Sequence, residues 1–461
     1  VSGNAASSSI AKALPVWRDP AAWMKVSDIV AVLLALSLPW STSLVGIFGA
    51  VLLITVAPTV ELKGFLASLM RPISALPIAL FVLTLVGTLW SDAAWGGRLY
   101  AVGPAAKFLV LPVLLYHFER SERGSWVFAA FLVSCTLLML MSWMVFLRPE
   151  LSLRTPELAA RGIFVKNYIA QSQEFTLCAV ALAYPIIMLL RAKRIALALL
   201  LTAIALGFFV NMAFLVVSRT ALVTVPVMFA VFALLHLRWR SIVIILCVGA
   251  AFSAVAWQTS PALRLTAETF ARDYRLYKEE NAPTSIGLRL EFWRKSLGFF
   301  AEAPLIGHGT GATRGLFERV ATHGSYQASS EVIGNPHNQT LNVAVQWGIV
   351  GVVILYAMWF SHLFLFRGDG LATWIGLLVV VQNIFTSLFN SHLFDFHEGW
   401  MYVLGVGVAG GMVLRAGSLS GGRGTCRNWS AMTAGMHAGD KISAGEGCSA
   451  NPHRFRRRPT E

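Results

Sequence analysis

Long apolar runs, separated by short polar or basic stretches, recur along nearly the whole chain. They fall at about 24–40, 43–60, 73–90, 104–118, 126–147, 174–190, 195–217, 220–237, 241–257, 338–364, 371–390 and 399–415. A helix needs about 20 apolar residues to cross a hydrocarbon core of about 30 Å, and most of the runs approach that length. The runs are continuous and do not alternate with period two, so they predict helices and not barrel strands. The fold class expected is therefore an all-α polytopic membrane protein with twelve or so transmembrane helices.

Two regions stand apart from that pattern. Residues 258–337, between the ninth and tenth runs, form a stretch far longer than a connection requires. It contains Phe270, Tyr274, Tyr277, Phe292, Trp293, Phe299 and Phe300, a composition suited to helices lying on the bundle. Leu288–Phe300 reads as an amphipathic helix with Glu291 and Lys295 spaced i,i+4. The segment from 416 is rich in Gly, Ser and Ala and reads as a disordered basic tail. The organisation predicted is a polar segment 1–23, spans one to nine over 24–257, a large helical loop 258–337, spans ten to twelve over 338–415, and the tail 416–461.

Composition agrees with lipid as the solvent. Of 461 residues, 56% are apolar and 13% charged, and the mean hydropathy is +0.65; soluble domains carry about 25% charged residues. The net charge of +14 would suggest nucleic acid in a soluble protein. Here the basic residues mark topology. With the N-terminus inside, the inside loops carry Lys63 and Arg71; Arg120 and Arg123; Arg191, Lys193 and Arg194; Arg238 and Arg240; and Arg367. Arg415, Arg423, Arg427 and Arg456–Arg458 follow on the same side. Each of these inside loops is basic, which puts both termini in the cytoplasm and the large loop on the far face. Residues 1–22 are Ala/Ser-rich, contain Pro15 and Pro20, and do not read as a signal peptide. The five cysteines show neither a disulfide framework nor metal spacing.

Basic residues on the far face defy the topology rule and so call for a reason. Arg219, in the tight turn Ser218–Arg219–Thr220, reads either as an interfacial arginine or as a bidentate anion clamp. Arg289 stands one turn before Trp293, on a solvated helix face or over an anion. Arg161 and Lys166 lie in the far-side segment 148–173. His337 stands in Gly334–Asn335–Pro336–His337–Asn338, immediately before the tenth span. With Pro336 in the first helical turn, the helix dipole would disfavour imidazolium and keep a base available; an interfacial cap is the plainer alternative. The group His392, Asp395, His397 and Glu398 reads as a polar loop more readily than as a metal site. Acidic residues are scarce within the spans, which weighs against an ion-coupled pump or channel.

These residues carry a resemblance. His337–Asn338, nine residues, then Gly348–Ile349–Val350–Gly351 resembles the signature of bacterial O-antigen ligases and their relatives, the O-antigen polymerases and bacterial protein O-oligosaccharyltransferases. Val217–Ser218–Arg219–Thr220, Arg289-x-x-x-Trp293 with Pro304–Gly309, Asn390–Trp400 and, more weakly, Gly162–Asn167 are similar to further segments of that superfamily, in the same order. The resemblance covers roughly 85–415. It implies an undecaprenyl-diphosphate-linked O-antigen donor, a sugar hydroxyl of lipid A–core as acceptor, and a periplasmic site in the bacterial inner membrane. In that chemistry Arg219 and Arg289 would neutralise the diphosphate, His337 would act as general base, and no metal or cofactor would be needed. Lys166, Arg161, Asn338 and Trp293 are the further substrate-binding candidates. A polymerase and a protein glycosyltransferase share the donor and differ in acceptor. A lipid-linked glycan flippase, from a different class, would need a cationic cavity open to both sides.

Overall fold

The computed structural model describes residues 19–152, 155–165, 167–236, 239–321 and 327–436. Every regular element among them is helical. In chain order these are α1 (Pro20–Ser37), α2 (Thr42–Val56), α3 (Leu62–Leu69), α4 (Pro72–Val86), α5 (Trp95–Ala106), α6 (Val110–Phe118) and α7 (Gly124–Leu147). Then follow α8 (Pro156–Ala159), α9 (Tyr168–Ala181), α10 (Ala183–Arg191), α11 (Ile195–Phe214), α12 (Arg219–His236) and α13 (Trp239–Thr259). The last are α14 (Pro261–Glu280), α15 (Ser285–Glu302), α16 (Thr313–Val320), α17 (Gln339–Leu365), α18 (Leu371–Thr386) and α19 (Phe396–Met436).

Eight helical stretches are long and apolar enough to cross a membrane, or up to ten if each of two bent pairs is one span. The bent pairs are α3 with α4, at 75°, and the 246–259 part of α13 with α14, at 90°. Two of the twelve expected runs, 220–237 and 371–390, are present as the shorter apolar helices Val223–Leu235 and Leu371–Thr386. The expected span 104–118 begins earlier, at Trp95, so the segment 91–103 is largely helix and not loop. Among the described residues, those up to Arg415 form one compact unit and those from Ala416 a second. The second unit contains the end of α19, helical to Met436 where the sequence pattern suggests disorder from 416.

Helix starts follow local chemistry. Asp19, Ser41, Asn167, Ser260, Thr284 and Asn338 each accept a backbone N–H of the first turn, and Pro20 and Pro261 occupy a first helical position. Three segments expected on the inside meet at the 117–123 turn. Arg71 pairs with Glu119 at 2.9 Å, Arg415 pairs with Glu122, and Arg123 reaches the buried Asp28 of α1 at 3.3 Å. His117 and Ser121 also donate to or share protons with Asp28, so this carboxylate is satisfied inside the bundle.

The helix α17 is broken. Gly348 has φ +61° and ψ −154°, a conformation that only glycine adopts readily, and it divides the element into 339–347 and 349–365. The backbone groups freed by the break are met by the segment 304–311. His308 N–H donates to Val345 O and Gly309 N–H to Gln346 O, while Ile349 and Val350 donate to the carbonyls of Pro304 and Leu305. The 304–309 segment and the 348–351 segment, separate in sequence, are therefore two halves of one joint. Gly307 and Gly309 also have positive φ, and a Cβ at Gly307 or Gly348 would overlap the facing backbone. Gly348→Ala is expected to destabilise the protein by about 2 kcal/mol or more, from backbone strain and the displaced joint. A thermal melt of the purified variant in detergent checks this; an unchanged midpoint would contradict it.

The described residues of the stretch 258–337 hold α14, α15 and α16 with connecting turns. Among its described residues, α15 packs on α17 through a small core of Phe292, Phe299, Leu316, Phe317 and Val345. The Glu291–Lys295 pair lies inside the fold. Both side chains are buried, 3.9 Å apart, with Arg294 closing on Glu291 at 2.6 Å and Lys295 donating to Ser329 O. Arg294 holds the Glu291 carboxyl below the usual range despite partial burial.

Candidate functional site

His337 lies just outside α17. The helix starts at Gln339, and Asn338 is its N-cap, so Pro336 precedes the helix and does not enter its first turn. His337 has φ +53°, one of three non-glycine residues at positive φ among those described. That conformation is held by its own N–H, which donates to Asn335 Oδ1 at 3.0 Å; Ser391 Oγ donates to the same oxygen at 2.6 Å. Such backbone strain costs about 1–3 kcal/mol and persists only where the surroundings fix it. Gln339 N–H to Ser387 O, and Leu393 N–H to Gln339 Oε1, tie the start of α17 to the loop between α18 and α19.

That loop supplies the ring's partner. Nδ1 of His337 lies 2.6 Å from Oδ1 of Asn390. Asn390 Nδ2 in turn donates to Asp395 Oδ2 at 2.9 Å. A carboxylate only accepts, so Asp395 fixes the amide with its NH2 outward and its oxygen toward the imidazole. An amide oxygen only accepts too, so Nδ1 carries the proton and Nε2 keeps its lone pair. The ring packs against Phe292 of α15, centroids 6.1 Å apart.

Burial is the main cause that lowers the His337 pKa below its ordinary 6.5; Asn390 opposes this and the positive charge of Arg289 adds to it. The causes that favour the neutral ring here are burial and a neighbouring guanidinium, and not a place in the first helical turn, since Pro336 and His337 precede α17. His392, buried in the same loop, is pushed down to about 3 by burial, Arg289 and His337. Asp395 is pushed up to about 7 by burial and by Glu398, against the pull of Lys107.

Arg289 on α15 is therefore the cation that acts on both histidines. Arg219 opens α12, but its side chain lies outside the described residues, and so does Lys166 altogether. Arg161 approaches the same turn as Arg219. Its guanidinium donates to Val217 O at 3.4 Å and lies 4.4 Å from the Tyr168 ring centroid. Trp293 has its indole N–H buried without a partner among the described residues. Asn338 is occupied structurally: Oδ1 accepts from Leu341 N–H and Nδ2 donates to Leu388 O, both at 3.0 Å. Among the described residues no group of three or more His, Cys, Asp or Glu is arranged to hold a metal, the 392–398 group included.

Asn390 enters the sequence reading only as the first residue of the Asn390–Trp400 segment, and Lys107, which donates to Phe394 O and Asp395 O, does not enter it at all. Asn390 carries no charge and stands at the end of an apolar run. Lys107 is a single cation inside one, visible as an exception to the apolar pattern but with no partner nearby in sequence.

Membrane-length apolar helices, one of them broken at Gly348 with His337 and the α18–α19 loop at its start, are the features of a polytopic helical membrane protein. Residues 204–356 match the family model described as O-antigen ligase, and the match supports membership of the O-antigen ligase superfamily. The matched stretch contains Arg219, Arg289, His337 and the Gly348 joint, whereas Asn390 and Asp395 lie beyond it. No curated protein matches the chain.

Proposed function

We propose that the chain is an O-antigen ligase. It would transfer O-antigen polysaccharide from undecaprenyl diphosphate to a sugar hydroxyl of lipid A–core on the periplasmic face of the inner membrane, completing lipopolysaccharide. The observation that carries this reading is the His337–Asn390 hydrogen bond, which leaves Nε2 as a base beside Arg289. In the proposed step Nε2 takes the proton of the acceptor hydroxyl as its oxygen bonds to the anomeric carbon. The bond from that carbon to the diphosphate oxygen breaks, and the electron pair leaves with the diphosphate. Attack opposite the leaving group inverts the anomeric centre. Arg289 and Arg219 are the groups assigned to the charge that develops on the diphosphate, in place of a divalent cation.

The same reading gives twelve spans, counting the two bent pairs and the two shorter apolar helices with the eight long ones. The alternation of ends supports it. Expected inside loops meet at the 117–123 turn, while expected outside segments meet elsewhere, Arg161 at Val217 and His337 at Asn390.

Asn390→Ala tests the carrying observation. With no acceptor at Nδ1 the two tautomers compete, and the transfer rate is expected to fall by about 10- to 100-fold, with the KM of the donor little changed. Steady-state rates of the purified variant measure this. A wild-type rate would remove the tautomer argument.

A further inference from the structure

Lys107 lies within the membrane-length stretch Trp95–Phe118 and is only 7% exposed. An ammonium at such depth is costly and calls for partners and a reason. Its Nζ donates to two successive carbonyls, Phe394 O at 3.1 Å and Asp395 O at 2.5 Å. The opposing charges are the carboxylates of Asp395 and Glu398. Room for it is made by Gly399, in the first turn of α19: a Cβ there would overlap Nζ and crowd the Leu393 carbonyl. A cation from one helix and a glycine from another thus fit together under the loop that holds Asn390.

We infer that Lys107 is a positioning residue of the transfer site, acting through the 394–395 backbone and the Asp395–Asn390–His337 chain. The inference rests on the proposed transfer with His337 as base. Ionised Asp395 can only accept, which orients the Asn390 amide and keeps the proton on Nδ1 of His337. Protonated Asp395 can donate. The amide can then turn, present its NH2 to Nδ1, and drive the ring to the tautomer whose Nε2 bears hydrogen, which is no base. Competence of the base therefore follows ionisation of Asp395.

The charged and titratable groups facing this chain are Lys107 from below, Glu398 on α19, His392 in the same loop and Arg289 on α15. Asp395 titrates near 7, because burial and Glu398 raise it while Lys107 lowers it. The active form is the ionised one, so activity falls as pH drops through that value. Removing the Lys107 charge raises it further, and the acid limb of the rate moves to higher pH.

The test is the transfer rate against pH for the full chain and its Lys107→Met and Lys107→Arg variants, at saturating donor and acceptor. Lys107→Met is expected to move the acid limb upward by about one pH unit, the size of a nearby-charge effect, with donor KM within about twofold. Lys107→Arg should restore the limb. An unmoved limb, or a uniform loss at every pH that Arg does not restore, would overturn the inference. If Lys107→Met does not yield folded protein, Gly399→Ala displaces the ammonium instead. It must then move the limb in the same direction, and an unmoved limb overturns the inference equally. Wild-type protein that transfers nothing fails the functional reading and not the role of Lys107, since the variants are read only against an active parent.

Discussion

His337→Ala is expected to lower the rate of glycan transfer by about 10²- to 10⁴-fold, the range that a positioned general base supplies. The loss should fall on kcat, because the ring's task arises as the acceptor proton leaves. Folding should survive. The ring packs on Phe292 and bonds Asn390, but the joint at Gly348 and the cap at Asn338 do not depend on it. Alanine keeps the positive-φ strain at 337 and loses the ring's packing on Phe292 and its bond to Asn390, so a modest fall in melting temperature is expected beside the catalytic loss. Substantial residual transfer by well-folded protein would remove His337 as the base.

Arg289→Ala should cost about 10²- to 10³-fold, as the loss of one preorganised charge on a developing anion does. It carries a second, separable signature. Arg289 holds the His337 pKa down, so its removal raises that pKa toward the ordinary value. The neutral ring is the active form, so the limb belonging to His337 moves to higher pH in the variant. Arg289→Lys keeps the charge and loses the bidentate geometry. It should leave that limb in place and recover only part of the rate. A variant with wild-type rate and wild-type pH dependence would place Arg289 outside the reaction.

Much of this arrangement is legible in the sequence because the membrane simplifies the code. Spans read as apolar runs because a helix satisfies its own backbone groups in lipid; both shorter helices, and α4 and α13 of the bent pairs, fall on runs that the pattern marks, whereas their partners α3 and α14 lie outside those runs. His337 and Arg289 are visible as polar residues, the one where an apolar run begins and the other where an amphipathic helix carries a cation. The Gly348 break is not visible as such. A glycine in an apolar run is ordinary, and its conformation depends on the 304–311 segment that docks there. The residues Asn390 and Asp395 fall in segments that the sequence marks, but their link to His337 escapes for a related reason. Both come from a loop that meets His337 only after α17, α18 and α19 pack, and a neutral amide gives no electrostatic signal along the sequence. For Glu291 and Lys295 the sequence shows the i,i+4 spacing and the structure adds the surroundings, burial against Ser329 and Phe317.

The central claim is that this protein joins a lipid-linked glycan to a lipid A–core hydroxyl. Purified protein mixed with undecaprenyl-diphosphate glycan, with and without lipid A–core, tests it when products are followed by gel mobility. The account predicts a shift of glycan onto lipid A–core only when that acceptor is present, lost in His337→Ala. Lengthening of the lipid-linked glycan without the acceptor would make the protein a polymerase, and no product in either mixture from well-folded protein would contradict the enzyme reading.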